Sequence, residues 1–175
     1  MNEIIKYIIN SYQINPIGQI VGFIGFILSI IASQNKCDKR MKNLNGVSLL
    51  FWVIHYFLIG LYPAVASDLI GAIRNFLSVK YKGNNKIILL IISTYIIFLI
   101  ITYNNIYSFL PIISGIIVTF TFFKLGGIKM RLILIGCSIM WIVYNIIGKS
   151  LGGITIELFL ITSNIITIYR LYKDK

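Results

Sequence analysis

The chain has a single histidine, His55, and only five acidic residues in 175. Two of those acids, Asp68 and Glu157, interrupt long apolar stretches, WVIHYFLIGLYPAVASDLIGAIRN and WIVYNIIGKSLGGITIELFLITSN. A charged side chain at the centre of a membrane helix costs about 2.5 to 3.5 kcal/mol on insertion scales, so such residues tend to mark ion or solute pathways. A buried carboxylate can accept hydrogen bonds from a solute, hold a cation or carry a proton, and an imidazole can relay one near neutrality. Trp52 and His55 are three residues apart, and Asp68 and Asn75 are seven apart, so each pair shares a helical face. Trp141 with Tyr144, and Glu157 with Asn164, repeat that spacing. These eight residues form the candidate substrate-binding set. Their aromatic walls, two carboxylates and two amides suit a small polar or cationic solute, held by hydrogen bonds and cation–π contact.

Other chemistries fit less well. The sequence has no HExxH, no GxSxG and no phosphate-cradling glycine loop, and one histidine cannot build a multi-histidine metal site. Ser67 and Asp68 are adjacent and point about 100° apart on a helix, so both cannot engage His55 as a triad. The expectation is a protein that is not an enzyme, with no metal and no cofactor. Polar residues between membrane helices also serve as packing contacts of about 0.6 kcal/mol each. Arg74 lies six residues from Lys80 and about 120° around the helix from Asp68, which predicts that it snorkels toward headgroups.

The elements that position these residues are read from hydropathy. Apolar residues make up 58% of the chain and charged ones 12%, about half the charged fraction of a soluble domain. Mean hydropathy is +0.88. Breaks at SQNKCDKRMKNLNG, LYP, KYKGNNK, YNNIY, KLGGIKMR and GKSLGG delimit seven transmembrane segments, near 18–33, 46–61, 63–80, 87–103, 107–123, 132–148 and 153–170. Residues 1–17 read as an interfacial segment.

The net charge of +11 is not a nucleic-acid footprint, because the basic residues lie between the apolar runs instead of along one face. Seven crossings put Lys36, Lys39, Arg40 and Lys42, then Lys80, Lys82 and Lys86, then Lys124, Lys129 and Arg131, then Arg170, Lys173 and Lys175 on one side. Only Lys6 and Lys149 fall on the other. By the positive-inside rule the N-terminus is outside and the C-terminus cytoplasmic, with the basic tracts against anionic lipid.

The sequence also matches itself at an offset of 89. Arg40-Met41-Lys42 falls on Lys129-Met130-Arg131, Trp52 on Trp141, His55 on Tyr144, Asp68 on Glu157 and Asn75 on Asn164. The unit is three helices, 18–81 and 107–170, joined by a linker helix at 87–103 that restores parallel orientation. Gly18, Gly22 and Gly25 give the first helix a face that another helix can approach closely.

WVIHYFLIGLYPAVASDLIGAIRNFL, residues 52–77, and MWIVYNIIGKSLGGITIELFLITSNIITIYR, residues 140–170, resemble the bacterial inner membrane protein family YgjV. The resemblance runs from Gly18 onward and implies an inner-membrane location. More remotely the plan is similar to the superfamily of SWEET sugar facilitators and PQ-loop transporters, all-α membrane proteins with two parallel three-helix bundles around a linker helix. That likeness implies pocket roles for Trp52, Asn75, Trp141 and Asn164. The superfamily's Pro-Gln dipeptide is replaced by Ser33-Gln34 and by Phe122-Phe123. The expected function is a facilitator or proton-coupled transporter of a small polar solute, with a non-transporting receptor or assembly factor as the alternative.

Overall fold

The computed structural model describes residues 15–148 and 150–173, and is helical nearly throughout. The expected interfacial segment up to residue 14, and the charge positions Lys6, Lys149 and Lys175, lie outside the described residues. Among the described residues there are seven α-helices: α1 (Pro16–Ser33), α2 (Asp38–Leu58), α3 (Tyr62–Lys80), α4 (Asn85–Thr102), α5 (Phe109–Lys124), α6 (Gly127–Ile147) and α7 (Leu151–Lys173). A 3-10 turn, Ile106–Ser108, leads into α5.

Local chemistry sets several of these ends. Asn15 caps α1 through its side chain, which accepts from the Gly18 N–H, and Pro16 fills the first helical position where no N–H is needed. Asn84 caps α4 in the same way. Gly60, at φ 76°, supplies the left-handed residue in the α2–α3 turn.

The largest departure from the expected segments is at the start of α2. It begins at Asp38, eight residues before the hydropathy boundary, so the basic stretch DKRMKNLN is helix instead of loop. The reason is burial of a charge. Lys42 is only 4% exposed, and its ammonium group finds a carbonyl on another helix instead of water. The start of α6 likewise moves back to Gly127, with Arg131 fully buried.

Helix packing closes a ring. Each of α1, α2 and α3 packs on the next, α3 packs on α5, α5 on α6, α6 on α7, and α7 returns to α1. The linker helix α4 packs on α3 and α5, across their seam. Ile70, Ile88, Ile91, Tyr95, Ile112 and Phe123 fill that seam. The outer face of α4 carries Leu89, Leu90, Ile100 and Ile101, all at least 65% exposed, as expected of a surface solvated by lipid tails. Five of the helical segments are long and apolar enough to cross a membrane. The other two, α2 and α3, hold eight of the 22 buried polar residues among those described, including Lys42, His55, Asp68 and Arg74.

The offset of 89 recurs in this geometry. It carries Asp38–Leu58 onto Gly127–Ile147 with both ends in register, and carries Tyr62 at the start of α3 onto Leu151 at the start of α7. The ring contacts repeat too, with α3 on α5 answered by α7 on α1. Gly22 and Gly25 provide the close approach expected of α1. A Cβ at Gly22 would lie 2.7 Å from His55 Nδ1, and one at Gly25 would lie 3.1 Å from Trp52 Nε1.

The two cysteines provide a test of orientation. Cys37 is exposed at the basic end of the ring and Cys137 is buried. The Arg40 backbone N–H near the Cys37 thiol lowers its pKa, which raises the reactive thiolate fraction. A membrane-impermeant maleimide should therefore label Cys37 in inside-out vesicles and not in intact spheroplasts, with Cys137 silent in both. Labelling of Cys37 from the outside would invert the topology expected from the charge tracts.

Candidate functional site

The turns between α2 and α3 and between α6 and α7 define one end of the ring, the hairpin end; the lysine- and arginine-rich connections define the other. Helix bounds fix depth from the hairpin end. Trp52 lies six residues before the end of α2, and Asp68 six after the start of α3. Trp141 and Glu157 stand in the same places on α6 and α7. All four thus fall in one layer, about 9 Å below the helix ends at 1.5 Å per residue. His55 was expected to come level with Asp68, but the non-helical turn at 59–61 moves the midpoint of the hairpin, and Trp52 takes that place.

A cavity of about 130 Å³ occupies the ring at this depth and extends toward the basic end. All six ring helices contribute to its wall and α4 contributes none. Of the eight residues singled out in the sequence, Trp52, Asp68, Trp141, Glu157 and Asn164 line it. His55, Tyr144 and Asn75 do not. His55 turns to α1, where its Nδ1 donates to the Gly18 carbonyl at 2.9 Å, and it packs edge-on against Trp52. Tyr144 is buried edge-on against Trp141. Asn75 is fully buried behind the wall, where its Oδ1 accepts from Arg74 Nε at 3.1 Å and Nη2 at 3.0 Å.

Arg74 corrects the snorkelling expectation. It is 5% exposed and faces inward. Besides its fork on Asn75, Nη1 donates to Tyr95 Oη at 3.3 Å and to the Gly115 carbonyl at 3.2 Å, and the guanidinium lies over the Phe122 ring. Tyr95 in turn donates to the Ser67 carbonyl. The network joins α3, α4 and α5. A planar guanidinium can satisfy three fixed acceptors at once, which explains why it is held here instead of reaching for headgroups.

At the basic end two cations act across the ring in matching positions. Lys42 on α2 donates to the Phe122 carbonyl near the end of α5. Arg131 on α6 donates to the Ser33 carbonyl at the end of α1, at 3.2 Å. Donors and acceptors are each related by 89. Arg131 also reaches Asn35 O at 2.8 Å, Asn164 Oδ1 at 3.3 Å and Asp38 at 3.6 Å. At the hairpin end the closing contacts are neutral. Tyr56 donates to Asn145 Oδ1 at 3.1 Å, again 89 residues away, and stacks on Trp141.

Sequence reasoning missed Lys42, Arg131, Tyr56 and Asn145 as parts of the interior. The signal was present in the self-match, where Lys42 falls on Arg131, but those residues were read as loop charges setting topology. Arg131 forms an ion pair with Asp38 at 3.6 Å. Glu157 has Ser138 beside it.

Two comparisons agree on what the chain is similar to. The family described as bacterial inner membrane protein, Imp-YgjV, matches over residues 16–175. "Inner membrane protein YgjV" of Escherichia coli (strain K12) is 31% identical over 160 residues, which cover 90% of this chain and 87% of that protein. No solved structure matches.

The Arg74 network predicts a stability effect. Arg74→Leu strands Asn75 Oδ1, at about 1 to 3 kcal/mol for a buried group left unpaired, whereas Tyr95 Oη still donates to Ser67 O and Gly115 O still accepts from Thr119 Oγ1. Thermal unfolding in detergent should show a destabilisation of about 1 to 3 kcal/mol. Arg74→Lys should recover less than half, since an ammonium cannot form the fork. The same change at exposed Arg170 should shift stability by less than about 0.5 kcal/mol.

Proposed function

We propose that this chain, which belongs to the Imp-YgjV family of bacterial inner membrane proteins and spans that membrane several times, is a facilitator or proton-coupled transporter of a small polar solute. The observation that carries the reading is the central cavity, enclosed by six helices and crossed by one layer of two tryptophans and two carboxylates. Such a site is concave, largely apolar and furnished with a few convergent polar groups.

In this reading α1–α3 and α5–α7 are two parallel three-helix repeats joined by α4, arranged like the SWEET facilitators, with the N-terminus outside and the C-terminus cytoplasmic. Repeats of this kind rock about a midplane site. The Lys42 and Arg131 contacts would then form the gate at the basic end, and Tyr56 with Asn145 and Trp141 the gate at the hairpin end. Asp68 and Glu157 hold the solute, Trp52 and Trp141 wall it, and Asn164 lines the passage toward the basic end. No catalytic step is assigned.

The alternative is a receptor or assembly factor that keeps the scaffold without a pathway. That reading expects His55 closed on Asp68 in a dry core. Instead His55 is bound to Gly18, and Asp68 faces the cavity. The dense Arg74 and Arg131 networks are the feature that favours a static scaffold.

Purified protein in liposomes, screened with sugars, amino acids and amines, provides the test. At least one class should enter by saturable uptake. Asp68→Asn combined with Glu157→Gln should reduce that uptake at least tenfold. Unchanged uptake in the double variant would remove the roles given to the two acids, and no uptake of any class would favour the receptor.

A further inference from the structure

Charge balance inside the cavity bears on the class of solute, an inference that rests on the transport reading above. Four acidic or basic residues line the cavity: Asp68, Glu157, Arg74 and Arg131. Arg131 is answered by Asp38, 3.6 Å away and outside the lining. Two carboxylates then stand against one guanidinium, and that guanidinium is committed to Asn75, Tyr95 and Gly115. Arg74 also sits six residues beyond Asp68, about 9 Å further toward the basic end.

The neighbouring elements bring no compensating charge into the layer. On α2, Lys42 is held at the basic end by Phe122 O, His55 is turned to Gly18, and Tyr56 is bound to Asn145. On α4, Tyr95 donates to Ser67 O. On α6, Cys137 donates to Ser114 O, and Tyr144 packs on Trp141. The cavity wall from α1 and α5 is uncharged.

With both carboxylates ionised, the cavity would carry one negative charge in excess, in a setting where an uncompensated charge is costly. One proton on a carboxylate removes the excess, and so does one monovalent cation. We propose that the solute is a small monovalent organic cation, whose ammonium group sits between Asp68 and Glu157 and against Trp52 and Trp141. Aromatic faces and carboxylates together are the surroundings that recognise ammonium groups. As the cation leaves, one proton takes its place on a carboxylate, so the exchange is one for one and electroneutral.

Trp52 and Trp141 are the only tryptophans in the chain, so emission excited selectively at tryptophan, beyond the absorption of the eleven tyrosines, reads this layer. Choline is the probe, because a permanently charged ion cannot cross the bilayer as a free base and move protons by itself. Added to the full chain in detergent, choline should change the emission saturably. Its neutral isostere 3,3-dimethylbutan-1-ol and the zwitterion glycine betaine should not. The apparent Kd for choline should rise by up to about tenfold per unit fall in pH, because one proton competes for the site. In liposomes loaded with a pH dye, external choline should alkalinise the lumen, and folded Asp68→Asn should lose both responses. Choline bound no better than its isostere, or bound independently of pH, would overturn the proposal. Binding with proton competition but no lumenal change would support the cation site while removing the transport reading. Uptake of a neutral solute with no choline response would keep transport and overturn the cation.

Discussion

The ring depends on cations that reach across it to the carbonyls near the ends of opposing helices. The last turn of any helix leaves carbonyls without partners and carries the negative end of the helix dipole. In a membrane those carbonyls have little water to turn to. Lys42 reaches the end of α5 and Arg131 the end of α1, so each half of the chain satisfies a helix terminus of the other. Neither half completes its own basic end. This reciprocity accounts for two strongly basic stretches that continue as helix where hydropathy alone would end them.

The two ends of the ring are tied together by different chemistry. The basic end uses charge-assisted hydrogen bonds, with Asp38 close to Arg131 and also accepting from the Gly127 N–H at 2.9 Å. Such bonds are about twice as strong as neutral ones. At the hairpin end the closure is one neutral hydrogen bond and a stack of rings around Tyr56. Between them lie the acid and tryptophan layer and, beneath it, Arg74. The polar interior is graded along its axis, with the acids nearer the hairpin end and the cations nearer the basic end.

How far the candidate site could be read from the sequence differs from residue to residue. Asp68 and Glu157 stood out because an acid in an apolar run is rare, and both line the cavity. Trp52 and Trp141 stood out because they match at the offset of 89, and both lie in the layer with the acids. His55 was misplaced by a small error of register, since three turn residues decide which side chain on α2 faces Asp68. Arg74 was misread because its partners are Tyr95 on α4 and Gly115 on α5, 21 and 41 residues away. Spacing along one helix has no access to such partners.

The sequence by itself determined the helical class, the number of apolar segments, the concentration of basic charge at one end and the spacing of 89 between matching positions. These follow from local composition and from periodicity, which each segment carries alone. Only the tertiary structure decided which polar residues face the cavity, which are spent on other helices and where α2 and α6 begin. Those outcomes depend on donors and acceptors far apart in the chain, 98 residues for Arg131 and Ser33, coming within about 3 Å, and a buried charge is tolerated only where the fold brings it a partner.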